Sequence, residues 1–207
     1  MLEAHDLSAI RGHTRLFSGV TARVAPGNVL LVGGPNGSGK TTLLRMLAGL
    51  STPASGTIRW QGDDVAPFDA RLREASVFAG HLPALKDDLT VRENLASLVA
   101  LGGDRATPQA LDAALDEVAL ARQGALPVRV LSQGQRRRIA LARVKLVRKP
   151  LWILDEPATA LDADGIALLA SLLLQHLDAH GMAVVATHQP LALPGARAQA
   201  LTLEAPA

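Results

Sequence analysis

The sequence contains no cysteine and no tyrosine, and aromatic residues make up only 2% of its 207 residues. The absence of cysteine excludes a disulfide scaffold, thiolate catalysis and cysteine-ligated zinc. With so few aromatic rings, a surface that stacks the bases of single-stranded nucleic acid is not expected. The net charge of +2 also provides no general attraction to nucleic acid. The composition therefore predicts no nucleic-acid partner.

A long apolar run is missing as well. No stretch reaches the ~18 apolar residues that a membrane-spanning helix needs. The first residues, Met1–Asp6, carry two acidic side chains and no apolar segment of the kind found in secretory signals. Because 48% of the residues are hydrophobic, the chain has enough apolar surface to fold. We expect a protein that is soluble by itself and cytoplasmic, with residues 1–207 forming one domain.

Three short, continuous apolar runs are typical of fully buried strands, namely Val29–Val32, Leu151–Leu154 and Met182–Ala186. Two further strands are expected at Thr57–Trp60 and Ala75–Ala79. Helical patterns cover residues 41–48, 91–101, 108–121, 133–148 and 164–179. Buried strands that alternate with helices predict an α/β fold with a mostly parallel sheet covered on both faces. The helix-rich stretch from about residue 85 to 148 interrupts this alternation and predicts an inserted lobe. Before the first run, we expect short β-like segments broken by Gly12 and Gly19.

A glycine-rich segment directly after the first buried run fits the phosphate-loop pattern G-x-x-x-x-G-K-[ST]. Its glycines let successive backbone N–H groups turn toward one anion, and the helix that follows presents its positive end. Lys40 is expected to reach the β- and γ-phosphates, and the Thr41 hydroxyl to ligate Mg²⁺. The candidate nucleotide-binding residues are Gly34, Pro35, Asn36, Gly37, Ser38, Gly39, Lys40, Thr41 and Thr42.

Two adjacent carboxylates, Asp155 and Glu156, follow the second buried run. In an open parallel sheet, ligands bind at the carboxyl ends of the strands. Asp155 is therefore a candidate Mg²⁺ ligand. Glu156, one residue further, is a candidate general base that activates the attacking water.

Four further segments carry a family resemblance, namely Leu89–Asn94, Leu131–Gln135, Ala160–Asp162 and Ala186–His188. They resemble, in that order, the segment after the Q-loop, the LSGGQ signature, the D-loop and the switch histidine. With them, the sequence resembles the ATP-binding subunits of ABC transporters over residues 1 to about 193. The resemblance implies a P-loop NTPase fold of the ABC type, with a mostly parallel core, an N-terminal antiparallel β subdomain and an inserted helical lobe.

The resemblance also implies ATP and Mg²⁺ as ligands and a second copy of the chain as a partner. In the family, two subunits close head to tail around two ATP molecules. Ser132, Gly134 and Gln135 would then complete the site of the partner, and Asp162 would lie at the dimer seam. His188 would contact the γ-phosphate and orient Glu156. The implied catalytic residues are thus Lys40, Glu156 and His188.

At three positions the chain departs from the family pattern. Arg11 stands where the family usually stacks adenine on an aromatic ring; its guanidinium can cover a base or can simply be exposed. His81 stands in place of the Q-loop glutamine, and its imidazole can accept a hydrogen bond from a magnesium-bound water. We do not expect it to ligate Mg²⁺ directly, because magnesium prefers oxygen. Gln133 replaces the first glycine of the signature, which should be tolerated because Ser132 and Gly134 remain.

The run from Gln135 to Lys149 carries seven basic residues. It can be a patch for nucleic acid or lipid headgroups, or a helix whose basic side chains are solvated around an apolar face. We favour the solvated helix, since the family has a similarly basic helix here.

The resemblance is strongest to the haem exporter ATPases of bacterial cytochrome c maturation, through Gly80–Pro83, Trp152–Pro157 and Thr187–Leu191. It implies integral membrane subunits as partners, haem as cargo, and a peripheral location on the cytoplasmic face of the inner membrane. The alternatives are an ATPase for an exporter of another cargo, such as a lipid or drug, and a soluble ABC ATPase. Candidate docking residues are Leu82, Leu85 and Leu89, which can equally be ordinary packing residues.

Overall fold

The computed structural model describes residues 1–205, which form two β-sheets and six α-helices. The strands are β1 (Leu2–Arg11), β2 (Thr14–Val24), β3 (Val29–Gly33), β4 (Ser55–Trp60), β5 (Asp63–Val65), β6 (Ser76–Ala79), β7 (Leu151–Asp155), β8 (Met182–Ala186) and β9 (Ala198–Thr202). The helices are α1 (Lys40–Leu47), α2 (Ala70–Ala75), α3 (Val91–Leu101), α4 (Pro108–Glu117), α5 (Gln133–Leu146) and α6 (Ala163–Asp178). Across residues 1–205, none of the helices has the length and apolar character that crossing a membrane requires.

The larger sheet is parallel throughout and has the strand order β6-β7-β8-β3-β9. The three predicted buried runs form β3, β7 and β8, which are its central strands, so the expectation of a parallel core is confirmed. The smaller sheet is antiparallel, with the order β2-β1-β4-β5. Between β6 and β7 the chain forms α3, α4 and α5, which lie in the predicted helix-rich stretch.

Residues on the central strands alternate between two cores, because successive side chains of a strand point to opposite faces. Trp152, Leu154 and Val185 pack with α3 to α6 on one face of the parallel sheet. Ile153 and Val184 pack on the other face with α1 and the antiparallel sheet. Both faces are therefore covered, which leaves the ends of the strands as the accessible edges.

The N-terminal strands are longer than predicted, and the expected break at Gly19 is wrong. β2 continues through Gly19, which adopts a φ of 70°. The register of the β1–β2 pair shifts opposite Gly19, between Leu7 and Ala9. It also shifts between Ala4 and Leu7, where Asp6 has a φ of 52°. Each shift is a bulge, which bends the ladder without ending it. Glycine at this position thus marks a bulge in one long strand.

Three short elements were not predicted, namely β5, α2 and β9. β9 lies at the edge of the parallel sheet beside β3, and most of its residues are partly or fully exposed. An edge strand of this kind lacks the continuous apolar run by which a buried strand is recognised. Helix α4 also ends earlier than predicted, at Glu117.

The N-terminus of α6 is capped by Asp162, whose carboxylate accepts hydrogen bonds from the Gly165 backbone N–H and from Arg138, both at 2.9 Å. The bond from Gly165, and then the Arg138 guanidinium, lower the pKa of the Asp162 carboxyl from its usual value of 3.8. Because the folded-state pKa lies below the unfolded one, the cap stabilises the protein fully above the unfolded value. This stabilisation is lost as the pH falls through the folded-state pKa.

Replacing Ile153, which is fully buried in β7, by alanine should lower the free energy of unfolding by about 2–5 kcal/mol. The loss combines transfer free energy with a cavity between the sheet and α1. Urea denaturation followed by circular dichroism measures it as a lower midpoint at an unchanged slope. The matched control is Leu101→Ala, since Leu101 is 84% exposed. Equal midpoints for the two variants would contradict the assignment of the core.

Replacing Asp162 by asparagine should lower the melting temperature at pH 7, because asparagine keeps a capping acceptor but loses the charge that Gly165 and Arg138 stabilise. The difference from the unmodified protein should shrink as the pH falls below 3.8 and through the lowered folded-state pKa of Asp162. Thermal melts across the acid range test this. Asp164→Asn removes the same charge from the same turn as a control. A difference that stays constant down to acid pH would exclude this role of Asp162.

Candidate functional site

The predicted phosphate loop connects β3 to α1 at the carboxyl edge of the parallel sheet. Two of its glycines are required by their surroundings. Gly34 has a φ of 134°, and a Cβ there would collide with the backbone carbonyl of Leu203. Gly39 caps α1 with a φ of 95°, and a Cβ there would lie 2.9 Å from the ring of Phe17. Only glycine allows the loop to fold this tightly over the helix N-terminus.

Lys40 is withdrawn from solvent inside this loop. Its ammonium donates hydrogen bonds to the carbonyl oxygens of Gly34 at 2.8 Å and Pro35 at 3.1 Å. The Ser38 side chain is fully buried, and its hydroxyl has no hydrogen-bond partner among residues 1–205. Since buried polar groups are normally paired, the loop holds donors available for an anion.

Asp155 ends β7 beside the loop and is 1% exposed. Its Oδ2 accepts a hydrogen bond of 2.8 Å from the Thr41 hydroxyl at the start of α1. Its Oδ1 has no hydrogen-bond partner within the described part of the chain. A buried carboxylate with a free oxygen and an adjacent hydroxyl are the hard oxygen ligands that Mg²⁺ prefers, so these residues fit a magnesium ion.

Glu156 follows with a φ of 49°, a conformation that is uncommon outside glycine. Its backbone N–H donates to the carbonyl of Ala186 at 2.9 Å, which ties this turn to the end of β8. His188 lies in the turn after β8, where the Thr187 hydroxyl accepts from the backbone N–H of Gln189 at 3.0 Å. The His188 Nδ1 atom is thereby placed 3.0 Å from Oε2 of Glu156. The predicted base and the predicted switch histidine are neighbours.

The phosphate loop and the acidic pair line one cleft of about 580 Å³, whereas His188 reaches it only through its contact with Glu156. The phosphate-loop residues in its wall include Lys40, and the cleft is also lined by Asp155 and Glu156. Arg11, at the end of β1, and His81, just beyond β6, line it as well. The structure therefore brings both unusual residues of the sequence to the same cleft as the phosphate loop and the acidic pair.

The signature residues lie elsewhere. Ser132, Gly134, Gln135 and Asp162 line a second pocket of about 550 Å³. Ser132 caps α5 through a reciprocal capping box with Gln135, at 3.2 and 3.0 Å. A Cβ on Gly134 would lie 2.7 Å from the carbonyl oxygen of Ala160, so glycine allows the D-loop segment to pack closely here. Within one chain, none of these four predicted residues lines the phosphate cleft.

A charged residue of the cleft, Arg137, was missed by the sequence analysis. Arg137 belongs to the basic run that was expected to be solvated, but it is only 6% exposed and lines the cleft. The expectation of a solvated helix is wrong at this position. Arg137 is followed at spacings of four and seven residues by the buried Leu141 and Val144. This spacing puts Arg137 on the apolar face of α5, and the periodicity was the signal that could have revealed it.

Comparison with known proteins agrees with this geometry. The sequence profile of the ABC transporter family matches residues 17–159. The chain is 49% identical over 193 residues to the cytochrome c biogenesis ATP-binding export protein CcmA of Pseudomonas aeruginosa, covering 93% of this chain and 95% of that protein. It is 47% identical over 202 residues to the CcmA protein of Nitrosospira multiformis, covering 98% of each.

Solved structures have the same fold. A putative ABC transporter ATP-binding protein from Pyrococcus furiosus superimposes with a TM-score of 0.84 at 26% identity, covering 98% of this chain and 96% of that one. An ATP-binding cassette in a dimeric post-hydrolysis state, bound to ADP and Pi, superimposes with a TM-score of 0.77 at 23% identity, covering 91% and 88% of the two chains. Because the family profile spans more than half of the sequence and relatives share almost half of their residues with it, the chain belongs to the ABC transporter family.

Proposed function

We propose that this chain binds and hydrolyses Mg-ATP as the ATPase subunit of an exporter that serves cytochrome c biogenesis, with haem as the cargo. The observation that carries the ATPase part is one cleft that combines a phosphate loop, the Thr41–Asp155 pair and Glu156, with His188 held beside Glu156. The export part rests on the similarity to proteins named for cytochrome c biogenesis export.

In the proposed site, the loop from Gly34 to Thr42 wraps the phosphates of ATP. The Lys40 ammonium, now held by two loop carbonyls, exchanges them for phosphate oxygens, and the N-terminus of α1 adds its positive end. Thr41 and Asp155 hold Mg²⁺, which when bound neutralises charge on the β- and γ-phosphates. The free Oδ1 of Asp155 supports this role.

Glu156 acts as the general base in the proposed hydrolysis. Its carboxylate accepts a proton from the water that attacks the γ-phosphate, and ADP leaves. His188 acts through its position, since its Nδ1 lies 3.0 Å from the carboxylate of Glu156. There it orients the base and reaches toward the γ-phosphate. Within residues 1–205, no Phe or Trp lines the cleft, whereas Arg11 does, and we assign Arg11 to the adenine face.

The site is completed by a second copy of the chain. Ser132, Gly134, Gln135 and Asp162 form a pocket of their own, so they do not reach the phosphate loop of their own subunit. A head-to-tail dimer would bring this pocket against the ATP of the partner, with the α5 N-terminus directed at the γ-phosphate. We also propose that residues 1–207 are a single ATP-binding domain in which residues 85–148 are the helical lobe.

Integral membrane subunits are the proposed partners for transport, which places the chain on the cytoplasmic face of the bacterial inner membrane. Of the three candidate docking residues, Leu82 is 74% exposed and available for contact. Leu85 packs against the core below α3, which favours ordinary packing for it. Leu89 is half-buried. Leu82 is therefore the exposed candidate of the three, and it also lines the phosphate cleft.

Replacing Glu156 by glutamine should abolish ATP hydrolysis while ATP still binds, because the amide cannot accept the proton but keeps the shape of the side chain. Hydrolysis should fall by about 10²- to 10⁴-fold. The variant should also accumulate as an ATP-dependent dimer. Phosphate release and analytical ultracentrifugation measure the two effects.

Lys40→Ala is the comparison variant. It should lose ATP binding and ATP-dependent dimerisation together, whereas Glu156→Gln should lose hydrolysis alone. Unchanged turnover in Glu156→Gln would remove Glu156 as the base. Tight ATP binding by Lys40→Ala would contradict the phosphate loop.

Deleting the gene should abolish the covalent attachment of haem to c-type cytochromes, because the exporter would lack the subunit that hydrolyses ATP. Haem staining of denaturing gels detects this loss, and the unmodified gene but not the Glu156→Gln variant should restore it. Cytochromes with non-covalent haem serve as the control for haem synthesis. Normal c-type cytochromes in the deletion strain would contradict the proposed cargo pathway while leaving the ATPase assignment intact.

A further inference from the structure

Arg137 makes an unusual connection between two parts of the site. Its guanidinium donates hydrogen bonds to the carbonyl oxygen of Gly80 at 3.1 Å and to that of His81 at 2.6 Å. Gly80 and His81 directly follow β6, and the His81 side chain lines the phosphate cleft. Arg137 itself lies in the second turn of α5, the helix that begins at the signature residue Ser132. One side chain therefore ties the signature helix to the wall of the cleft.

Burying a cation at this position lowers the stability of the folded protein. Arg137 is 6% exposed, and burial lowers its pKa, while the negative charges of Asp155 and Glu156 act in the opposite direction. In the described part of the chain, no carboxylate is hydrogen-bonded to it, and both acceptors are neutral carbonyls. A buried charge without an ion-pair partner is destabilising compared with an apolar side chain of similar size. The helix would therefore pack more favourably with a leucine, unless the contact serves the reaction.

The geometry of the Arg137 contact distinguishes it from a single hydrogen bond between two elements. The planar guanidinium donates in a fixed fork, so it holds two consecutive carbonyls at once and fixes the orientation of the peptide between them. That peptide carries His81, which occupies the position of the family's Q-loop glutamine. A movement of His81 must therefore move Arg137 and the first turns of α5, or break two hydrogen bonds.

We propose that Arg137 is a positioning residue, which fixes the Gly80–His81 segment against the cleft and couples it to the signature end of α5. This inference rests on the proposed ATPase function and deepens it. In the dimer, occupancy of the cleft in one subunit would then set the position of the signature that completes the other site. The coupling runs through a rigid pair of hydrogen bonds, and Arg137 itself needs no contact with ATP.

Arg143 provides a comparison for an arginine whose hydrogen bond to β6 is purely structural. Arg143 lies on the same helix and is half-buried, and this burial lowers its pKa. It donates a hydrogen bond of 3.5 Å to the carbonyl oxygen of Phe78, the last but one residue of β6. Arg143 thus connects α5 to the same strand without touching the His81 segment.

The test compares Arg137→Gln with Arg143→Gln in the full-length protein. Each variant removes one cation from the core-facing side of α5, and thermal melts should show that both remain folded. Only Arg137→Gln should lower kcat for ATP hydrolysis, by about 10- to 100-fold, as expected when a reacting group is misplaced. KM for ATP should change little, because the phosphate loop is untouched. Arg137→Lys should rescue kcat only in part, since an ammonium cannot form the fork.

A double-mutant cycle identifies the path of the effect. If Arg137 acts through His81, the loss in Arg137→Gln combined with His81→Ala should be smaller than the sum of the two single losses. In the Glu156→Gln background, Arg137→Gln should also raise the ATP concentration needed for dimerisation, whereas Arg143→Gln should not.

Equal kcat values for Arg137→Gln and Arg143→Gln, or strictly additive losses with His81→Ala, would overturn the inference. These outcomes are distinct from a failure of the proposed function. If the unmodified protein hydrolyses ATP and Glu156→Gln does not, the ATPase assignment stands whatever the Arg137 variants show.

Discussion

The parallel pairing of β3, β8 and β7 is the constraint on which the site depends. Val32 of β3 and Asp155 of β7 are both level with Ala186 of β8. The three chain segments that follow therefore leave the sheet at the same height, and they carry the phosphate loop, His188 and Glu156. A shift of one residue in this register would reverse the direction of each side chain and separate Asp155 from Thr41. Because apolar side chains are buried on both faces of the sheet, any change of register would disrupt their packing.

Buried charge at the edge of the sheet is the second organising feature. Lys40, Asp155 and Arg137 are each largely withdrawn from water, and each is held by hydrogen bonds to the loops around the cleft. A site prepared in this way binds a charged ligand with little reorganisation, because its dipoles are already oriented. The backbone at this edge is also strained, as the positive φ of Glu156 shows. The packing of the two apolar cores stabilises this conformation.

The separation of the two pockets gives the chain its dependence on a partner. Gln133 and Ala160 are the residues that line both pockets, so the signature surface and the phosphate cleft adjoin but do not merge. Gly134 packs against the carbonyl of Ala160, which fixes the signature turn to the D-loop segment of the same subunit. The helix that carries the signature is also joined to the cleft wall through Arg137. The proposed ATP-bound dimer would thus join two sites that are already connected within each subunit.

Much of this molecule follows from the sequence alone. The three buried strands, the phosphate loop and the acidic pair are local patterns, because burial on both faces and backbone freedom for an anion require particular residues at adjacent positions. The order of the motifs also identified the family. Other features arise only in three dimensions: the bulge at Gly19, the edge strand β9, the hydrogen bonds from Arg137 to the cleft wall and the 3.0 Å approach of His188 to Glu156. They depend on which segments become neighbours across the sheet, and contacts between residues distant in sequence leave no periodic trace in the chain.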